Sequence, residues 1–212
     1  MTKLHIEAQG LSKRYNREWI FRDLTFDFHQ GKSYVITGPN GSGKSTLMQI
    51  LWGQMPPSKG TVIYHADNQK LEDEKIYQQV SVAAPYMELI DEFTLLEQVE
   101  FHYKIKPIKQ TFTSLQIIES LYLTDSIDKP ISNFSSGMKQ RVKLGLAFYT
   151  DVPILFLDEP GTNLDAKAFE WYHENLKLIA SEKLILVASN QKSEYPENAE
   201  ELDISAYKSK LN

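Results

Sequence analysis

The sequence predicts an α/β fold in which helices cover a mainly parallel sheet. Two observations carry this prediction. Short apolar strands alternate with helices along much of the chain, and a glycine-rich turn joins one such strand to the helix after it. The first third is rich in strands, and a helical segment interrupts the alternation. We therefore expect one domain over 1–212, with an N-terminal antiparallel β part and a helical subdomain inserted at about 86–150.

The strands of the first third are indicated by β-branched and aromatic residues and by alternation. The segments "LHIEAQ" (4–9) and "LTFDFH" (24–29) are predicted strands, and "KSYVIT" (32–37) precedes the glycine-rich turn. Apolar positions Leu47, Ile50 and Leu51 then follow at helical spacing. A further strand, 60–65, comes after the turn "PPSKG".

Helices are predicted between Phe93 and Leu123, as "TLLEQVEFHYKIK" and "FTSLQIIESLYL" with the helix breaker Pro107 between them. Another helix begins near Ser136. Strand and helix then alternate again: the apolar strand "PILFLDE", a helix over about 165–181, and the apolar strand "KLILVAS". The acidic segment "ENAEELD" that follows is predicted to be the solvated face of a helix.

The composition excludes several classes of protein. The 212 residues include no cysteine, so disulfides and thiolate metal sites are excluded. The formal charge of −5 and the lack of a basic block argue against a nucleic-acid partner. No segment reaches the roughly 20 apolar residues that span a bilayer, and the start has no apolar core of signal-peptide length. Zinc is not expected, because no metal-ligand spacing connects the histidines His5, His29, His65, His102 and His173.

The strongest motif is "GPNGSGKS", Gly38–Ser45, which matches the P-loop pattern G-x-x-x-x-G-K-[ST] between a predicted strand and a predicted helix. Its backbone N–H groups are expected to surround phosphates. Lys44 is expected to reach the β and γ phosphates, and Ser45 to ligate Mg²⁺. The residues expected to hold the nucleotide here are Pro39, Asn40, Gly41, Ser42, Gly43, Lys44, Ser45 and Thr46.

Two carboxylates, Asp158 and Glu159, follow four apolar residues in "ILFLDEP" and so emerge at the end of a buried strand. Asp158 can hold Mg²⁺, and Glu159 can polarise the water that attacks the γ-phosphate. The alternative is that this acidic pair caps the N-terminus of a helix.

Four motifs in this order resemble the ATP-binding cassette of ABC transporters: the P-loop, "FSSGM" at 134–138, the Asp-Glu pair, and "NLD" at 163–165. In that family two cassettes dimerise head to tail, and the signature turn of one closes over the ATP held by the other. Ser135 and Gly137 match the signature pattern, whereas Phe134, Ser136 and Met138 depart from it. The resemblance implies that Ser135 and Gly137 contact the nucleotide of a second copy.

The resemblance implies two more nucleotide contacts. Tyr15 matches the position whose ring stacks on adenine, although an ordinary surface or core tyrosine is the alternative and Trp19 or Phe21 could compete for the role. Asp165 matches the aspartate that lines the dimer interface, and it could also cap the following helix.

The sequence departs from the family at two places. The glutamine expected before the helical subdomain is replaced by Pro85, and Gln78, Gln79 and Glu88 cannot be assigned its role. The family's switch histidine is replaced by Asn190, whose amide can donate a hydrogen bond but cannot titrate. We therefore expect Asn190 to take part in a slower or differently organised hydrolysis.

The resemblance implies an ATP- and Mg²⁺-dependent ATPase that energises transport. Its partners would be a second copy of the cassette and transmembrane permease subunits, which would hold it at the cytoplasmic face of the cell membrane. A permease helix would dock near 85–97, where the positions Tyr86, Met87, Leu89, Ile90 and Phe93 suit either a docking surface or a core. Two alternatives stay open: a cassette that serves a cytosolic assembly machine, and a nucleotide-gated module with little hydrolysis.

Overall fold

The computed structural model describes residues 3–67, 69–109 and 111–208. In this part of the chain the strands are β1 (Leu4–Tyr15), β2 (Glu18–His29), β3 (Ser33–Thr37), β4 (Lys59–Ala66), β5 (Gln69–Lys70), β6 (Val80–Ala83), β7 (Ile154–Asp158), β8 (Leu184–Ala188) and β9 (Glu200–Asp203). The α-helices are α1 (Lys44–Leu51), α2 (Leu95–Ile105), α3 (Ser114–Ser120), α4 (Ser136–Tyr149) and α5 (Ala166–Ile179).

The strands form two sheets. The first is antiparallel, with the order β2-β1-β4-β5, and the second has the order β6-β7-β8-β3-β9 with every adjacent pair parallel. A hairpin turn at Asn16, whose φ is +52°, joins β1 to β2. The predicted α/β class, with a parallel core and an N-terminal antiparallel part, is confirmed.

The parallel sheet separates two apolar cores, and its strands alternate between them. In β7, Leu155 and Leu157 belong to the core shared with α2 to α5, whereas Ile154 and Phe156 belong to the core shared with α1 and the antiparallel sheet. All five residues of β7 and of β8 are buried. Burial on both faces explains why these strands are continuous apolar runs in the sequence.

α2 ends at Ile105, two residues before Pro107, as predicted, whereas α3 is shorter than the predicted helix over 112–123. Each begins with a capping box: Thr94 exchanges hydrogen bonds with Glu97, and Thr113 does so with Gln116. The predicted helices from Ser136 and over 165–181 are present as α4 and α5.

The prediction of a helix face in "ENAEELD" is wrong. Residues 200–203 form β9, which pairs parallel with β3 so that Leu202 lies opposite Ile36 and Asp203 opposite Thr37. Leu202 is buried, while the acidic residues of β9 are exposed. Pairing with the strand before the P-loop therefore overrides the weak local preference of an acidic segment.

A half-buried histidine should make the stability of this fold depend on pH. His102 in α2 lies within 3.0 Å of the Thr150 hydroxyl, and burial, aided by the charge of Lys106, lowers the pKa of His102 from 6.5 to about 4. Between these values the unfolded chain binds a proton that the folded chain does not, so the free energy of unfolding falls as pH falls through this window.

We predict that His102→Gln, which keeps a hydrogen-bonding amide but cannot titrate, loses less stability than the wild type between pH 7.5 and pH 4.5. Urea unfolding of both proteins at the two pH values measures the difference. An equal loss of stability in both proteins would show that His102 binds a proton as readily in the folded protein as in the unfolded chain.

Candidate nucleotide-binding site

The P-loop, the Asp158–Glu159 pair and Asn190 meet at one edge of the parallel sheet. Parallel strands have their carboxyl ends at the same edge, and here β6, β7, β8 and β3 are neighbours in that order. The P-loop follows β3, Asp158 ends β7, and Asn190 comes two residues after β8. The order of the strands in the sheet therefore brings these segments, which are far apart in the sequence, together at one edge.

The P-loop is a tight turn that leaves the N-terminus of α1 open. Gly43 is the N-cap residue of α1, with φ +105° and no side-chain cap, so N–H groups of the first turn remain free for an anion. A Cβ on Gly43 would lie 2.4 Å from the Ile20 side chain, so only glycine fits. The Lys44 amino group donates to the carbonyl oxygens of Gly38 at 2.8 Å and Pro39 at 3.4 Å.

Asp158 is a buried carboxylate that lacks a partner. Its side chain is 1% exposed, and among the described residues neither carboxylate oxygen makes a hydrogen bond of normal geometry. Burial is the main cause that raises the pKa of Asp158 to about 6, with the charge of Glu159 adding to it and the Ser45 hydroxyl opposing it. Such a carboxylate beside a P-loop suits a divalent cation.

Glu159 has a strained backbone. Its φ is +46°, in the left-handed region that is costly for a residue with a Cβ, while its N–H donates to the carbonyl of Ala188 at 2.9 Å. The exposed side chain lines the same cavity as Lys44 and Ser45. Neither Asp158 nor Glu159 caps a helix, because α5 is capped by Asp165.

The cavity above the P-loop has a volume of about 310 Å³ and includes Tyr15. Tyr15 is 45% exposed, and its hydroxyl lies 3.2 Å from the sulfur of Met55. Phe21 is fully buried, and the ring of Trp19 is covered by Arg14, Arg22 and Lys59. The Lys13 amino group also lies 5.4 Å from the centroid of the Tyr15 ring, but of the three aromatic candidates Tyr15 is the one that lines the P-loop cavity. The lining residues are Tyr15, Ile20, Asn40, Gly41, Gly43, Lys44, Ser45, Thr46 and Glu159.

Asn190 is linked directly to the P-loop. Its amide nitrogen donates to the side-chain oxygen of Asn40 at 2.8 Å. Asn190 is exposed, whereas the preceding Ser189 is buried, with its N–H 3.3 Å from the Ile36 carbonyl. Asn190, which stands where the family has its switch histidine, is therefore hydrogen-bonded to the Asn40 side chain of the P-loop.

The signature turn lies outside this cavity. Among the described residues that line the P-loop cavity, neither Ser135 nor Gly137 is present. Ser135 caps α4 by accepting a hydrogen bond from the Met138 N–H at 3.2 Å, which leaves its own hydroxyl proton free. A Cβ on Gly137 would lie 2.6 Å from the carbonyl oxygen of Asn163, so the turn packs directly on the loop after β7.

Asp165 caps α5, since its carboxylate accepts a hydrogen bond from the Ala168 N–H at 2.8 Å. Behind this loop the carboxyl group of Glu194 is buried, and a Cβ on Gly161 would lie 2.5 Å from one of its oxygens. Burial is the first cause that raises the pKa of Glu194. Nothing in "SEYPE" distinguishes Glu194 from a solvated acid, so its burial could not be predicted from the sequence.

The segment that begins at Pro85 brings a second unpredicted group to the site. Pro85 is exposed, and its carbonyl accepts a hydrogen bond from Lys143 at 3.0 Å. Burial, together with the charge of Asp158, raises the pKa of the adjacent Tyr86 well above its usual range. Tyr86 and Met87 are exposed surface residues, whereas Leu89 packs against the helical core. The position of this segment beside the end of β7 depends on how β6 pairs with β7, and that pairing could not be predicted from the sequence.

The histidines are closer together than their sequence spacing indicates. His5 stacks on His65 with ring centroids 4.3 Å apart and lies 5.5 Å from His29, because β1 pairs with both β2 and β4. Over the described residues, however, no group of three or more histidine, aspartate or glutamate side chains is arranged to hold a metal ion. No helix in residues 3–67, 69–109 or 111–208 has the length and apolar character needed to cross a membrane.

The chain belongs to the ABC transporter family, whose model matches residues 21–162. It is 29% identical over 203 residues to the Nod factor export ATP-binding protein I of Ralstonia nicotianae, covering 93% of this chain and 61% of that protein. It is 28% identical over 204 residues to the cytochrome c biogenesis ATP-binding export protein CcmA of Haemophilus influenzae, covering 96% of each.

A solved structure described as the ATP-binding subunit of an ABC transporter is also similar, with a TM-score of 0.77 and 26% identity over 87% of this chain and 79% of that one. The chain spans less than two thirds of the length of the Nod factor export protein. The resemblance drawn from the four motifs is confirmed, as is the nucleotide-binding fold.

We predict that Gly137→Ala destabilises the protein even though alanine favours helices. The new Cβ would meet a backbone oxygen of Asn163 that cannot move alone. Overpacking of this kind costs about 1–3 kcal/mol, which lowers the melting temperature by several degrees. Differential scanning fluorimetry should show this fall for Gly137→Ala and not for Ser136→Ala at the adjacent exposed position. A Gly137→Ala protein as stable as the wild type would show that the signature turn does not pack closely on this loop.

Proposed function

We propose that this chain is the ATP-binding and ATP-hydrolysing subunit of an ABC transporter. The observation that carries the proposal is the meeting of the P-loop, Asp158 and Glu159 at the carboxyl edge of one parallel sheet. Lys44, a buried amino group beside two carboxylates, completes a site for the phosphates of a nucleotide. The family and the names of both relatives, which include ATP binding, support the same assignment.

The residues present fit a bound Mg²⁺. The Asp158 carboxylate is buried without a normal hydrogen bond, and the Ser45 hydroxyl faces it. Oxygen ligands from one carboxylate and one hydroxyl, with the rest supplied by phosphate and water, are what Mg²⁺ prefers. When bound, Mg²⁺ would neutralise charge on the β and γ phosphates.

We assign the chemical roles as follows. Glu159 orients a water molecule toward the γ-phosphorus and accepts its proton as the new P–O bond forms and the bond to the bridging oxygen breaks, which yields ADP and phosphate. The Lys44 amino group exchanges the carbonyls of Gly38 and Pro39 for phosphate oxygens. The Tyr15 ring stacks on the base, since it lines the cavity and is exposed.

The active form in this proposal is a head-to-tail dimer. The exposed Ser135 and the half-buried Gly137 lie at the N-terminus of α4 but not in the chain's own P-loop cavity. A helix N-terminus with a free hydroxyl proton can bind the γ-phosphate of a nucleotide held by a second copy. Asp165 would line the same interface, next to the loop on which Gly137 packs.

The transport partner would be a membrane-embedded permease. Both relatives named above are called export proteins, so we favour export for this chain. Tyr86 and Met87 form an exposed apolar patch in the segment 85–97 that a short permease helix could cover. The chain would then act at the cytoplasmic face of the membrane.

We predict that Glu159→Gln lowers Mg²⁺-dependent ATP turnover about 100-fold or more, because general-base assistance of this kind contributes at least that factor. ATP binding should be retained, since the P-loop is unchanged. Turnover per chain in the wild type should rise with protein concentration, as a dimeric site requires. Glu170→Gln, which removes an exposed carboxylate of α5, is the matched control.

Two results would contradict this proposal in different ways. Turnover that survives in Glu159→Gln would remove this residue from the chemistry. Tight ATP binding without turnover at any wild-type concentration would indicate either a nucleotide-gated module or a subunit that hydrolyses ATP only when its membrane partner is bound.

We predict that Asn190→His raises turnover several-fold. Histidine can carry charge and reach the γ-phosphate, whereas the Asn190 amide is committed to Asn40. Steady-state phosphate release measures the change, with Gln191→His at the adjacent exposed position as the control. A rate that stays the same or falls would contradict this prediction and mean that the site is adapted to asparagine at position 190.

A further inference from the structure

Glu194 is a buried acid behind the loop that carries Glu159. It is 1% exposed, although residues 190–193 just before it are all exposed. Among the described residues, its carboxylate oxygen Oε2 is buried without a hydrogen-bond partner. Burying a polar oxygen in this way costs free energy, so the presence of a glutamate at this position calls for an explanation.

The carboxyl group of Glu194 packs on the loop after β7. A Cβ on Gly161 would lie 2.5 Å from Oε1 of Glu194 and 2.9 Å from its Cδ, which is too close for any real contact. The Phe169 ring borders the same point, with its Cε2 2.7 Å from that Cβ. Glycine is therefore needed at position 161, because these two side chains occupy the space that a larger residue would fill.

Gly161 lies in the middle of the loop that runs from Glu159 to the start of α5. The Thr162 N–H donates to the Glu159 carbonyl at 3.3 Å, and the Leu164 N–H donates to the Gly161 carbonyl at 3.1 Å. Gly161 is thus inside the hydrogen-bonded turn that Glu159 begins. A displacement of Gly161 would move the backbone of Glu159, which is already in the left-handed region.

Glu194 is itself held in place by two hydrogen bonds of its backbone. Its carbonyl accepts from the hydroxyl of the fully buried Tyr172 of α5 at 2.7 Å, and its N–H donates to the Gln191 carbonyl at 2.9 Å. The second bond closes the turn that follows Asn190. The Glu194 side chain therefore connects the segment of Asn190 with the loop of Glu159, the two residues that we assign to hydrolysis.

We propose that Glu194 is a positioning residue of the hydrolytic site: its carboxyl group, packed on Gly161, holds the loop where Glu159 can orient the attacking water. This inference rests on the proposed function. Glu194 is not among the described residues that line the P-loop cavity, so it acts through Gly161 and not on the nucleotide. Burial, which raises the pKa of Glu194, favours the neutral carboxyl group, and an amide of the same shape is its closest substitute.

The first test compares Glu194→Ala and Glu194→Gln with the wild type in the full chain without nucleotide. NMR measures amide hydrogen exchange at Thr162 and Leu164, whose N–H groups make the hydrogen bonds of the loop. We expect several-fold faster exchange in Glu194→Ala, because the loss of contacts lowers the free energy of local opening. Glu194→Gln, which keeps the contact with Gly161, should exchange as the wild type does.

The second test is ATP turnover of the same variants, at a temperature where circular dichroism shows each of them folded. In Glu194→Ala, kcat should fall about tenfold or more with the KM for ATP unchanged, since a displacement of about 1 Å at reacting groups can cost about 100-fold. Glu194→Gln should keep wild-type turnover. Glu197→Ala, which removes an exposed carboxylate of the same segment, is the matched control.

Gly161→Ala tests the same contact from the other side. Its Cβ would displace the Glu194 carboxyl group, so exchange at Leu164 should rise and kcat should fall, and this test remains if Glu194→Ala does not fold. In the double variant Glu194→Ala/Gly161→Ala, the space of the carboxyl group is empty. The combined loss of kcat should then be smaller than the product of the two single losses, whereas independent losses would contradict the contact.

Wild-type exchange at Thr162 and Leu164 in Glu194→Ala would overturn this inference, and so would faster exchange with an unchanged kcat. A Glu194→Gln protein as impaired as Glu194→Ala would also contradict it, because the site would then need a negative charge and not the contact with Gly161. If the wild type shows no turnover, that result bears on the proposed function, and the exchange rates alone decide whether Glu194 holds the loop.

Discussion

The parallel pairing of β6, β7, β8 and β3 is the constraint on which the rest of the structure depends. Because all four strands point the same way, the segments that follow them share one edge. Those segments hold the P-loop, the carboxylates of β7, the Asn190 turn and Tyr86. A reversal of any one strand would move its segment to the opposite edge of the sheet.

The site keeps features that a stable fold by itself would avoid. Asp158 is a buried carboxylate without a normal partner, and Glu159 has a left-handed backbone. Strain and unsatisfied polar groups of this kind persist where binding compensates for them. The strands on either side, buried on both faces, supply the rigid support that holds these two residues in place.

The signature turn and the loop after β7 form one packed unit. Gly137 lies against the Asn163 carbonyl, and the Gln140 side chain donates to the Pro160 carbonyl at 2.8 Å. The start of α4 is therefore bound to the same loop that carries Glu159 at its beginning and Asp165 at its end.

The sequence alone determined the local features, because they depend on nearby residues: the P-loop between strand and helix, the apolar strand before Asp158, and the helices α4 and α5. It also indicated the family through the order of four motifs. Only the tertiary structure decided that 200–203 pair with β3 and that Phe21 is buried while Tyr15 lines the P-loop cavity. These outcomes depend on strand register and on packing between segments that are distant in sequence, neither of which local propensity encodes.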